Sequence, residues 1–256
     1  MSDNHCEKEE KNKSFKASAP FLSIIIPVYN EEKRIKNLDK VLAFFSQFSF
    51  PWEVVIVNDG SRDSTLDQLQ NWSMRKEIKI VSYDLNRGKG YAIKQGMLVA
   101  KGEHRLFMDI DLSTPLEEFH LFLPLLGKYD VIIGTRKSQV GQIIEHQPWL
   151  RETLGKGFTW LSRFILNVQV SDFTCGFKCF TRKAADLIFP RLTIERWGFD
   201  AEILYLTKKL GLTVKEVGVR WRNDPHTKVN LKRDVWRSFV DLIQIRYNDF
   251  RKIYSR

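Results

Sequence analysis

The chain has 256 residues, 43% of them hydrophobic, enough apolar material for one large domain with a substantial core. Its 41 basic residues against 31 acidic ones leave a formal charge of +10, so its partners should be anionic: nucleic acid, an anionic membrane surface or phosphate-bearing substrates. No stretch reaches the roughly 18 consecutive apolar residues of a spanning helix, and the N-terminus lacks the apolar core of a signal peptide, so a cytoplasmic protein is expected.

In chain order, residues 1–18 are polar and highly charged and read as a disordered tail. FLSIIIPVY, Phe21 to Tyr29, predicts a buried strand that Pro27 ends. Asn30-Glu31-Glu32 then opens an amphipathic helix with Ile35, Leu38, Val41, Leu42 and Phe45 at helical spacing. WEVVIVND is a second strand closed by Gly60, and the residues from Ser61 to Thr65 cap a helix carrying Leu66 and Leu69. IKIVSYD is a third strand, NRGKGYAIKQGMLVAKG a glycine turn into a helix, HRLFMDID a fourth strand and YDVIIGTR a fifth. Strands alternating with helices imply an α/β domain with a mostly parallel sheet, in which ligands bind at the carboxyl ends of the strands.

Those ends carry the chemistry. If the fourth strand continues, Asp109 and Asp111 point to one face. Two carboxylates so close repel unless a cation lies between them, and magnesium or manganese suits oxygen ligands and substrate phosphates. A strand ending in solvated turn residues is the other reading. Gly88-Lys89-Gly90 matches neither the phosphate-loop nor the dinucleotide fingerprint, and alone reads equally as a helix-opening turn. Asp59 could likewise be a turn residue, but glycines and acids recurring at successive strand ends favour a nucleotide site. Cys6 stands alone, and Cys175 and Cys179 are four apart, which suits reduced thiols better than a zinc knuckle.

The stretches SIIIPVYNEEKRI, VVIVNDGSRDST, NRGKGYAIKQGM and MDIDLSTP resemble glycosyltransferase family 2, whose fold is called GT-A. In the second half, GTRKS, SDFTCGFKCFTRKAA, ERWGFDAEILYL and EVGVRWRNDPHTKV resemble the polyprenyl-phosphate branch of that family, above all its dolichyl-phosphate β-glucosyltransferases. The likeness runs from about Phe21 to Arg256, with residues 19–231 as the catalytic domain and 232–256 as a C-terminal basic helix within it or packed on it.

The resemblance implies that Pro27, Tyr29 and Glu31 frame the nucleobase, that Asp59 reads the uracil edge, and that Lys89 lies near the nucleotide. It implies that Asp109 faces ribose and metal, that Asp111 binds the metal, and that the ion is magnesium or manganese. Arg136 and Arg222 match phosphate-binding arginines, with Arg151 and Lys228 as further acceptor candidates. Asp172 would contact or position the sugar, and Asp200 would stand near the acceptor as an orienting or base group. The implied reaction is transfer of glucose from UDP-glucose to a polyprenyl or dolichyl phosphate, with inversion. A family 2 transferase acting on a soluble glycan or a protein is the alternative. A basic nucleic-acid-binding protein is a third reading, but the sequence has no RNA-recognition, zinc-finger or helix-turn-helix signature, so nucleic acid is not expected as a partner.

In the C-terminal segment Trp236, Phe239, Val240, Ile243, Tyr247, Phe250 and Tyr254 form one helical stripe, with Arg233, Arg237, Arg246, Arg251 and Lys252 around it. Such a helix suits an anionic bilayer surface, or alternatively packs on the core; Leu150, Leu154, Phe158, Leu161 and Ile165 offer the same choice. The expectation is peripheral attachment at the cytoplasmic face of a membrane.

Overall fold

The computed structural model describes residues 19–136, 143–145, 149–223 and 231–255, without the side chains of 143–152, 154, 156 and 231–235. The expected tail and Lys228 lie outside the described residues, as do the side chains of Arg151 and Arg233.

In chain order the elements are β1 (Leu22–Val28), α1 (Asn37–Phe45), β2 (Trp52–Asp59), α2 (Thr65–Gln70), β3 (Ile78–Tyr83), α3 (Lys89–Val99), β4 (His104–Met108), α4 (Phe119–Phe122) and β5 (Val131–Thr135). There follow β6 (Ile143–Glu145), α5 (Trp149–Leu166), β7 (Phe177–Thr181), α6 (Arg182–Ile188), α7 (Phe199–Lys209), β8 (Val214–Gly218), β9 (Trp221–Arg222) and α8 (Leu231–Phe250). Seven strands form one sheet in the order β3-β2-β1-β4-β7-β5-β8, and β6 pairs with β9 separately. All neighbours in the large sheet are parallel except β7, which runs antiparallel to both β4 and β5.

Both faces of this sheet are covered along β1 and β2, which is why Ile24 to Val28 and Val54 to Val57 are continuous apolar runs rather than alternating ones. Leu22, Ile24, Ile26 and Val28 of β1 pack with α1 and α4 on one side, while Ile25 joins α3, α6 and α7 on the other. At about 25 cal/mol per Å² of apolar surface, such two-sided burial is the main term holding the strands together.

Three expected boundaries shift, each for a local reason. Strand β1 runs through Pro27 to Val28; its pairing with β4 stops at Ile25, so the missing N–H of Pro27 breaks no β4 ladder. Helix α1 begins at Asn37 rather than at Asn30, because Asn30 is left-handed (φ 50°) and the turn after it is tied to the loop before α2. There the N–H of Asn30 donates to Ser61 Oγ (2.9 Å), that of Glu31 to Thr65 Oγ1 (2.7 Å), and that of Arg62 to Asn30 Oδ1 (2.8 Å). Strand β4 ends at Met108, one residue before the aspartate pair.

Candidate active site

The carboxyl ends of β1, β2 and β4 converge on one rim, as parallel strands require. Pro27 is buried in β1 and partly exposed Tyr29 follows it, with Glu31 paired to Arg34 at 2.7 Å. Asp59 ends β2, buried, and its carboxylate is fully employed. It accepts the N–H groups of Arg87 and Gly88, each at 2.8 Å, and the side-chain amide of Asn86 at 2.7 Å. Burial outweighs these donors and raises its pKa above the ordinary aspartate value. Asp59 therefore shapes the loop that opens α3. Gly88 has φ 117°, and a Cβ there would lie 2.6 Å from the carbonyl oxygen of Glu195, so only glycine fits the turn.

Lys89, the first residue of α3, points to the aspartate pair: its Nζ is 2.6 Å from Asp109 Oδ1. Burial works against its charge, but Asp109, Asp200 and Asp111 outweigh that and hold its pKa above the usual lysine value. The two aspartates meet through a turn instead of the continuing strand that the alternation suggested. Leu112 is left-handed (φ 55°), its N–H reaches Asp109 O at 3.3 Å, and Asn37 holds the intervening Ile110 carbonyl at 3.0 Å. Asp111 accepts the N–H of Ser113 at 2.9 Å. Burial first, and then the Asp109 charge, raise its pKa.

On the opposite side stands the loop before β7. Arg136, just past β5, forms a two-pronged pair with Asp172 (Nε 2.7 Å, Nη2 2.8 Å) and donates to Thr174 Oγ1 at 2.8 Å. Its guanidinium lies 5.3 Å from the Trp221 ring centre. The N–H of Arg222 donates to Ser113 O at 2.9 Å, which fastens β9 two residues beyond Asp111. Asp172 is fully buried and its carboxylate is taken by Arg136, so it orients that arginine rather than opening toward a sugar. Asp200, in the first turn of α7, is buried against Lys178 Nζ at 2.5 Å; burial raises its pKa, with Lys178 and Lys89 opposing. These contacts bring Lys89, Asp109, Asp111, Asp200, Arg136 and Asp172 around one rim, with Arg222 tied to it through its backbone. Arg151 lies in α5.

Lys178 was missed as a site residue. It is a fully buried lysine on a central strand, and it also donates to the carbonyls of Phe173 (3.0 Å) and Cys175 (2.6 Å). The signal was a lone charge inside the apolar run Phe177 to Phe180, which in a buried strand demands partners. Cys175 and Cys179 are free, buried thiols, and burial pushes both pKa values up, to about 11 and about 12.

The residues fit a hard divalent cation. Asp109 and Asp111 offer only oxygen, and a Cβ on Gly176 would lie 2.2 Å from Asp109 Oδ2, so the loop before β7 leaves that carboxylate just the room a glycine gives. Among the described residues no third acidic, histidine or cysteine side chain completes a metal cluster. The other ligands would thus come from a substrate phosphate or water.

The glycosyl transferase family 2 profile matches residues 23–189. The chain is 33% identical over 242 residues to a dolichyl-phosphate β-glucosyltransferase of Dictyostelium discoideum, covering 89% of this chain and 74% of that one. It is 32% identical over 256 residues to the enzyme of that name from Saccharomyces cerevisiae, covering 91% and 76%. Among solved structures, a glucosyl-3-phosphoglycerate synthase of Mycobacterium tuberculosis in complex with Mn2+ and UDP-glucose superposes with a TM-score of 0.66 at 18% identity, over 88% of this chain and 79% of that one. The same synthase with Mg2+ and UDP gives 0.65. At that identity the likeness is one of fold, and the fold is GT-A. A profile match that runs from β1 through the aspartate pair and Arg136 to the end of α6, with relatives a third identical over most of the chain, makes this protein a member of glycosyl transferase family 2.

Proposed function

We propose that the protein transfers glucose from UDP-glucose to a dolichyl or other polyprenyl phosphate, inverting the anomeric centre. The observation that carries this reading is the facing of two charge sets across one rim. The Asp109–Asp111 pair with Lys89 suits a nucleotide pyrophosphate, and Arg136, fixed by Asp172 and lying near the Trp221 ring, suits a phosphate acceptor. The relatives' names add the sugar and the lipid.

In this reading a phosphate oxygen of the acceptor attacks the anomeric carbon as the bond to UDP breaks. That oxygen is already anionic at neutral pH, so no strong base is needed; Arg136 and Arg222 hold and orient it. Asp200, beside Lys178 and Lys89, orients a sugar hydroxyl. Lys89 faces the charge that gathers on the departing diphosphate. Asp109 and Asp111 would hold magnesium or manganese, which when bound neutralises the pyrophosphate. Pro27, Tyr29 and Glu31 frame the base, and Asp59 acts through the loop it shapes. Arg151 and Lys228 are further acceptor contacts.

The protein attaches peripherally to the cytoplasmic face of an anionic membrane. Among the described residues no helix is long and apolar enough to cross one. Trp160 and Phe164 on α5 stack at 6.0 Å and are exposed, as are Trp236, Val240, Ile243, Tyr247 and Phe250 on the neighbouring α8. This exposed stripe differs in part from the expected one, since Tyr254 is buried and Phe158, Leu161 and Ile165 pack on the core.

The test is incubation of purified protein with UDP-glucose, dolichyl phosphate and manganese. Lipid-linked glucose that disappears in Asp111→Ala and Arg136→Ala is the expected product. UDP-glucose consumed with no lipid product, or transfer only to a soluble acceptor, overturns the lipid assignment.

A further inference from the structure

We infer that Lys89 is a resident cation that holds the place of the divalent ion's charge, so that metal enters the donor site together with the nucleotide-sugar and binds poorly without it. The inference rests on the donor-site reading above and adds to it an order of binding and a residue that enforces it.

The geometry is a charge-balanced cluster. Lys89 Nζ stands 2.6 Å from Asp109 Oδ1, with Asp111 and Asp200 within electrostatic reach, and Lys178 Nζ stands 2.5 Å from Asp200 Oδ1. Three carboxyl groups thus face two amino groups, and with all five ionised one negative charge is left over in a site only partly open to water. A divalent ion added alone turns that residual charge positive and must share Asp109 with an ammonium already in hydrogen-bond contact. The pyrophosphate of a nucleotide-sugar, with two negative charges, reverses the balance and offers Lys89 new oxygen partners. Metal and donor each make the other's entry favourable, a coupling that is reciprocal by thermodynamic necessity.

Asp109 cannot relieve the conflict by turning away. On one side is Lys89; on the other is Gly176, so close that even a methyl group there would lie 2.2 Å from Oδ2. The turn beneath is fixed by Asn37 on the Ile110 carbonyl and by the N–H of Ser113 on Asp111. The movable member is Lys89, whose four-carbon stem allows its ammonium to shift from carboxylate to phosphate.

The experiment is calorimetric titration of manganese into the wild-type chain, Lys89→Gln and Lys89→Met, without nucleotide and with saturating UDP, with thermal unfolding recorded in chelator and in manganese. Without nucleotide, the variants should bind manganese about tenfold or more tightly than wild type, because the metal there meets carboxylates that have lost their counter-ion. With UDP that advantage should vanish or reverse. Each variant should melt lower than wild type in chelator and be restored by manganese alone; a variant that folds only with manganese gives the same answer. Equal metal-only affinities in wild type and variants, or variants that manganese does not stabilise, overturn the inference while leaving the donor site standing. Wild type that binds manganese no better with UDP than without, and UDP not at all, removes the donor-site reading and this inference with it.

Discussion

Two residues that need touch no substrate carry much of the site's definition. Gly176 is one: a Cβ at 2.2 Å from Asp109 Oδ2 has to push a carboxylate that Lys89 holds from the other side. Gly176→Ala should therefore weaken manganese-dependent UDP binding about tenfold, while overpacking at one rim position costs only about 1–3 kcal/mol of stability. Calorimetry beside thermal unfolding separates the two effects, and unchanged UDP binding would mean that Asp109 has freedom the contacts do not suggest. Asp172 is the other. Asp172→Asn keeps the shape but leaves the Arg136 guanidinium without its two-pronged anionic partner in a buried position. Breaking such a pair costs about 3–5 kcal/mol when the remaining charge stays buried. We expect kcat/KM for the lipid acceptor to fall about a hundredfold. UDP binding should stay as in wild type, since Asp172 holds Arg136, the proposed acceptor arginine, and touches neither Lys89 nor Asp109. A loss confined to UDP binding would contradict this assignment.

At the level of elements, α5 and α8 present exposed aromatic rings that contribute little to folding. Replacing Trp160, Phe164, Trp236 and Phe250 together by serine should change stability by no more than about 0.5 kcal/mol per site. Co-sedimentation with vesicles containing anionic lipid should drop about tenfold or more as the apolar insertion is lost. Vesicle binding that survives the fourfold change would assign attachment to other residues. Much of this architecture was legible in the sequence. Strands β1, β2, β4 and β5 followed from apolar runs ended by turn residues, because a strand buried on both faces has that composition whatever lies beside it. The antiparallel insertion of β7 between β4 and β5 was not legible, since neighbourhood in a sheet is decided by packing of distant segments. The start of α1 was missed because its competitor is a set of side-chain bonds between two loops about thirty residues apart. The acidic and basic candidates of the site could be named one by one, but not their pairing. That Asp172 serves Arg136 and that Lys178 serves Asp200 are facts of contact, which no spacing encodes.

For the molecule as a whole, the C-terminal segment is built into the catalytic half. Tyr254 donates to the buried Glu202 carboxylate at 2.6 Å, and Asn248 of α8 reaches Thr193 Oγ1 at 2.8 Å. Asp241 of α8 accepts the N–H of Gly198 at 3.2 Å, two residues before Asp200, and a Cβ on Gly198 would lie 2.4 Å from it. The helix with the exposed aromatic face is thus joined to the start of α7, and the joint has a measurable titration. Burial pushes the Asp241 pKa up to about 6 from the ordinary 3.8; the Gly198 N–H and Arg237 oppose the shift and the Glu202 charge adds to it. A carboxyl whose folded pKa lies above its unfolded one binds its proton more tightly in the folded chain. Its contribution to stability is greatest below the unfolded value and is lost as pH rises through the folded value. Wild-type protein should lose about 1 kcal/mol through this group between about pH 4 and about pH 7, after allowance for partial solvent screening. Asp241→Asn keeps a carbonyl oxygen to accept from Gly198 and removes the ionisation. The variant should therefore melt higher than wild type near neutral pH and converge with it near about pH 4. Denaturation curves taken across that range decide the matter. A variant less stable than wild type at neutral pH would show that the ionised carboxylate, at the positive end of α7, favours the joint despite its burial.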